Sequence, residues 1–207
     1  MSIVKLNNQA VKNATSFGSI SSLGSMVFIK KLTASSSATL SFVDGTDGVV
    51  LDDTYKEYVF TFNNIHPATD DVSFQFNLST DGGSNYNVTK TSTAFLALHT
   101  EADDATLLVY SSGEDLAQST SFQNISPRVG NVSDESCSGT LKIFNPSSSV
   151  FVKHFIANMN RYYAVDPSSV NDFTAGYGNT TSAVDGVRFQ MSSGNIDAGD
   201  ICLYGIA

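Results

Sequence analysis

Apolar alternation with a period of two constrains this chain more than any other feature. Tyr58, Phe60 and Phe62 alternate with Val59, Thr61 and Asn63, and Phe74, Phe76 and Leu78 alternate with Ser73, Gln75 and Asn77. Successive side chains of an extended strand point to opposite faces, so each run sends one row into a core and the other toward solvent. The same signature, short runs of Val, Ile, Phe, Tyr and Thr between clusters of Gly, Asn, Asp, Ser and Pro, recurs along most of the sequence. It predicts strands near 26–34, 37–43, 56–65, 72–78, 92–99, 106–111, 139–145, 150–158, 173–180, 184–192 and 199–206. The run 150–158 has Phe151 and Phe155 on one face and Val150, Val152 and Ile156 on the other. It reads as a central strand covered on both sides. Helical pattern is confined to a turn or two at 101–109 or 114–118.

Turn chemistry separates the runs. Asp44-Gly45 and Asp47-Gly48 frame a loop, and Asp81-Gly82-Gly83 supplies the positive φ angles of a tight reversal. His66-Pro67 ends a strand, because Pro cannot donate to a ladder. Asn145-Pro146 and Gly194-Asn195 act alike. With 207 residues and 41% hydrophobic content the chain suits one sizeable core. The expectation is an all-β, antiparallel β-sandwich, jelly-roll-like, spanning 26–207. Residues 1–25 have no sustained period and are expected to form an irregular N-terminal arm. Its scattered apolar residues Leu6, Val11, Phe17 and Leu23 are the expected assembly contacts, burying against a neighbouring subunit of a homotrimer.

Charge narrows the partners. Eleven Lys and Arg stand among 20 Asp and Glu, giving a net charge of -9. Nucleic acid and anionic membrane are discounted, since both demand a basic surface. No apolar run approaches the ~20 residues of a spanning helix, and no signal peptide is read after Met1. The two cysteines, Cys137 and Cys202, are expected as buried thiols.

Few residues in the sequence point to chemistry. His66, His99 and His154 each fall at or within a predicted strand without a second ligand at metal-binding spacing. Asp44, Asp47, Asp52, Asp53 and the pair Asp70-Asp71 supply oxygen ligands in principle, yet lack the ligand order of an EF-hand, and carboxylates beside Gly are ordinary turn formers. There is no Gly-x-Ser-x-Gly elbow, phosphate-binding Gly-rich loop or dinucleotide fingerprint. The expectation is a non-enzyme with no catalytic residues, no cofactor and no metal. The best candidates for ligand contact are Tyr162 and Tyr163 after Arg161, with Tyr86 and Tyr177, as glycan-stacking or contact positions in loops.

Several stretches carry a resemblance. They are Ser25 to Ile29 with Leu32 to Ala38; Tyr55 to Tyr58 running on to Asn64-Ile65-His66-Pro67-Ala68-Thr69-Asp70; Ser79 to Asn87; Phe144-Asn145-Pro146-Ser147-Ser148 with Phe151 to Phe155; and the ending from Gly194 to Ile206. In this order they resemble virion structural proteins of marine tailed bacteriophages, such as those infecting cyanobacteria. The resemblance implies a virion component made in the host cytoplasm. The leading role is a tail-fibre or fibre-tip module for assembly and host-surface attachment, with host-surface glycan and other virion proteins as partners. The alternative is a capsid or tail decoration protein that reinforces the particle. The resemblance supplies no active site.

Overall fold

A computed structural model describes residues 25–163 and 167–207. They form twelve strands: β1 (Met26–Thr33), β2 (Leu40–Val43), β3 (Glu57–Pro67), β4 (Val72–Ser79), β5 (Lys90–Thr100), β6 (Thr106–Tyr110), β7 (Gln123–Val129), β8 (Cys137–Phe144), β9 (Lys153–Tyr163), β10 (Ser168–Gly178), β11 (Gly186–Met191) and β12 (Ile196–Ile206). All pairings are antiparallel. An eight-stranded sheet runs β1-β12-β3-β8-β9-β10-β5-β6, and a four-stranded sheet runs β2-β11-β4-β7. The two pack face to face, so the all-β sandwich expectation holds. Leu6, Val11, Phe17 and Leu23 lie outside the described residues.

The alternating runs build the core as their period requires. Phe60 and Phe62 from the large sheet meet Phe42, Phe74 and Phe189 from the small one. Phe189 is the hub, with ring centroids 5.2 Å from Phe60 and from Phe62, 5.8 Å from Phe74 and 6.2 Å from Phe42. Most of these contacts are edge-to-face, the arrangement the ring quadrupoles favour. Phe76 meets Phe155 of β9 at 5.1 Å and extends the core sideways. All seven phenylalanines are buried.

Four expectations are corrected. β7 was not anticipated: Gln-Asn-Ile-Ser-Pro-Arg-Val is polar and contains Pro127, which the strand accommodates because it forms an edge of the small sheet. The strand expected at 150–158 begins only at Lys153 and runs to Tyr163, leaving Val150 and Phe151 exposed before it. It is central in its sheet, but its burial alternates residue by residue, with Ile156 exposed, so one face alone is covered. No helical turn forms at 101–109 or 114–118: β6 takes the last four residues of the first, and the described residues contain no helix. Finally, β10 starts at Ser168, ahead of the expected 173.

The large sheet is wider than the small one. β7, at the small sheet's edge, packs across β9 and touches β10. The segment Glu114–Gln123 then covers one end of β5, where Leu116 N–H donates to Ser92 Oγ and Ser92 Oγ donates to Gln123 Oε1. β6 lies beyond this cover. All five of its residues are exposed, although Leu107 and Val109 point to the inner side of the sheet.

Candidate functional site

Register brings the outer faces of β9, β10, β5 and β6 into one surface. Ile156 lies beside Ala175, and Ala175 beside Thr93. One row on, Asn158, Phe173, Phe95 and Tyr110 line up across four strands. His154, Tyr177 and Thr91 flank one side; Asn160, Asn171, Ala97 and Leu108 flank the other. None of these outward positions carries Asp, Glu, Lys or Arg, in a chain with 31 such residues. Phe95 and Phe173 stack at 4.8 Å with planes 8° apart, and Phe95 remains 43% exposed. Tyr110 (52%), Ile156 (48%) and Leu108 (73%) also face solvent.

The surface is not flat. Ala175 and Gly176 are small, while Phe173 and Tyr177 rise on either side of them along β10. The result is an open groove of about 440 Å³ between Ile156, Thr93 and the His154–Tyr177 pair. That pair sits edge to face at 6.2 Å. Asn158, Asn160, Thr91 and Thr93 offer neutral donors and acceptors around the aromatic rings. A surface depleted in charge and enriched in aromatics has the composition of an interface core.

The anticipated tyrosines do not gather in one loop cluster. Tyr162 lies at the far end of this face and Tyr177 beside the groove. Arg161 and Tyr163 flank Tyr162 in the strand and therefore point to the inner side. There Arg161 Nε donates to Asp172 Oδ2 at 2.9 Å, with both groups buried. Burial pushes the Asp172 carboxyl up to about 6, against the opposing pull of the guanidinium. The Tyr163 ring lies under two cations, Arg128 at 5.0 Å and Arg161 at 5.3 Å. Arg128 is itself held by Asp71, whose carboxyl it keeps below the usual range. Tyr86 is buried beneath the Arg188 guanidinium at 3.9 Å, so its ring is not open to a ligand.

Other candidates are engaged in the fold. Asp44 accepts from Leu51 N–H and Asp52 from Thr54 N–H, each at 2.8 Å. His66 lies 3.2 Å from the Val132 carbonyl, and His99 lies 2.9 Å from Asp103. Among the described residues no three His, Cys, Asp or Glu side chains converge as a metal site would require. Cys137 and Cys202 are buried free thiols on opposite faces of the large sheet. Burial pushes the Cys137 thiol up to about 12.

Sequence reading passed over two fully buried lysines. Lys153 Nζ donates to the carbonyls of Ser148 and Phe151, both at 2.7 Å, and holds the loop that precedes β9. Lys90 Nζ donates to Asn77 Oδ1 and to the Val88 carbonyl. Their signal was a Lys at the first, inward position of a strand, where a cation is unusual.

No protein-family model, curated protein or solved structure matches the chain.

Proposed function

We propose that this chain is a structural module of a bacteriophage virion, a tail-fibre or fibre-tip head that assembles as a homotrimer and attaches through the outer face of its large sheet. The charge-free aromatic face carries the reading. A surplus of carboxylates keeps much of the surface mutually repelling, and this face carries none. Its exposed rings, neutral amides and hydroxyls suit a host-surface glycan or a flat protein neighbour, with no catalytic step and no cofactor.

Strand order supports a jelly-roll assignment. β1-β12-β3-β8 faces β2-β11-β4-β7. The first strand thus pairs with the last and the second with the second-last, the winding of two Greek keys. The hairpins β5–β6 and β9–β10 are insertions that widen one sheet and create the face. Such a chain needs neither disulfide nor metal to reach a stable core.

A decoration protein that reinforces a capsid or tail is the second reading. It is favoured by the placement of Tyr110, Tyr177 and Tyr162 across a sheet face and not at a loop tip. A particle reconstruction of the virus encoding the chain is the test. Density for the sandwich at a fibre or fibre tip, outer face free, supports attachment. The same face buried on shell or tail subunits supports reinforcement. Absence of the chain from purified particles overturns both.

A further inference from the structure

The eight-stranded sheet ends in an edge that nothing covers among the described residues. β6 reads Thr-Leu-Leu-Val-Tyr, all five residues are exposed, and Leu107 and Leu108 are 50% and 73% exposed on opposite faces. A bare, uncharged, apolar edge strand is a template for another strand, and natural sheets normally protect such edges with charge, Pro or a bulge. Here the acidic residues flank the strand instead: Glu101, Asp103 and Asp104 before it, Glu114 and Asp115 after it.

One part of the chain has the opposite charge. Residues 1–24 contain Lys5 and Lys12 and no Asp or Glu. They also hold a β-branched run, Ile3-Val4, next to Lys5 and Leu6. We propose that this segment, from a neighbouring copy, docks on β6, with its apolar residues Ile3, Val4 and Leu6 against the exposed Leu107 and Leu108. Lys5 and Lys12 complement the carboxylates that flank the strand, Glu101, Asp103 and Asp104 on one side and Glu114 and Asp115 on the other.

Length and exit point fit this route. The segment joins the sandwich at β1, the opposite edge of the same sheet. Seven strand spacings separate the edges, about 34 Å, whereas 24 extended residues reach roughly 80 Å. Docking on the same chain's β6 would draw the segment across the charge-free face and occlude it. Docking on the next copy leaves that face open, so the choice of a neighbour rests on the contact role proposed above. A segment leaving one edge and entering the other edge of the next copy is a head-to-tail contact, which closes into a ring when the rotation between copies closes and otherwise grows as a filament; the trimer proposed above is the closed case.

The test uses the full chain in solution and needs no particle. Wild type is expected to be a closed oligomer by light scattering, and removal of residues 1–24 to yield a folded monomer. Lys5→Glu with Lys12→Glu should raise the midpoint concentration of association about tenfold at low salt, with the difference shrinking in 1 M salt. The pair Val4→Cys and Leu108→Cys, mildly oxidised, should give reducible multimers between chains. A monomeric wild type, an oligomer unchanged by the deletion, or a disulfide formed within one chain would each overturn the proposal. Because these readouts do not involve particles, failure here is separable from failure of the virion role.

Discussion

Lys90 Nζ lies 2.5 Å from Asn77 Oδ1, and both side chains are fully buried. The amide is saturated. Its Oδ1 also accepts from Leu78 N–H at 2.8 Å, and its Nδ2 donates to the carbonyls of Tyr86 at 2.7 Å and Thr120 at 3.0 Å. Asn77 thus ties β4 to the loop before β5 and to the approach to β7, and Lys90 seals the site from the side.

This arrangement predicts a pH signature. Burial pulls the Lys90 ammonium down from 10.5 to about 7. Between those values the unfolded chain holds a proton that the folded chain has released. Unfolding therefore takes up protons, and stability rises with pH across this window. Below about 7 both states are charged and the burial penalty is fully present. Urea midpoints measured from pH 6.5 to 10 should climb for wild type. In Lys90→Met, where Asn77 Oδ1 keeps the Leu78 donor, the curve should be flatter. Identical slopes would show that the amine does not titrate in the fold.

The Arg161–Asp172 pair predicts a different pattern. Arg161→Met leaves a buried carboxyl without its cation, and breaking such a pair costs about 3–5 kcal/mol. Arg161→Met with Asp172→Leu should recover most of that loss. Since the folded Asp172 carboxyl sits at about 6, above 3.8, it binds a proton more readily than the unfolded chain does. Its contribution falls as pH rises from 3.8 through 6. In Arg161→Met that dependence should steepen. Denaturation at pH 4.5 and 7 for the two variants checks both statements.

The hub of the core gives a third expectation. Phe189→Ala removes a ring that contacts four others, and the rigid sheets around it limit collapse. A loss of about 3–5 kcal/mol is expected in denaturant unfolding. Phe95→Ala removes an equally large ring from the exposed stack and should cost about 1 kcal/mol or less. Equal losses would mean that the outer face is covered within the single chain.

These residues also mark what the sequence could and could not disclose. Phe60, Phe62, Phe74 and Phe76 were legible because burial on one face of a strand imposes a local period of two. β7 was not, since an edge strand tolerates Pro127 and polar residues that argue against a strand elsewhere. The start of β9 was misplaced because Val150, Phe151 and Val152 carry the apolar pattern of the strand back ahead of Lys153. What ends the preceding loop is Lys153, whose ammonium gathers carbonyls from 148 and 151. Tyr162 was separable from Arg161 and Tyr163 in principle, by alternation alone. The charge-free face had no local signal: Ile156, Phe173, Phe95 and Tyr110 come from four strands, and only their register makes them neighbours.

The charge-free face can be tested with a single added charge. Ile156 is 48% exposed, and Lys142 stands beside it in β8. Ile156→Lys therefore adds a cation at a site already open to water. The isolated chain should tolerate it within about 0.5 kcal/mol, as most exposed sites do. The outcome should differ once the face is covered, because an unpaired charge taken out of water costs several kcal/mol. Incorporation into particles, or binding to host cells where the fibre reading holds, should fall by more than about tenfold, equivalent to 1.4 kcal/mol. Ala183→Lys, exposed in the loop before β11, adds the same charge away from the face and should leave incorporation unchanged. Both proteins should show the same denaturation midpoint, so the contrast is read from contact and not from folding. Equal incorporation of the two variants would remove the face from the assembly and place the contact elsewhere on the sandwich.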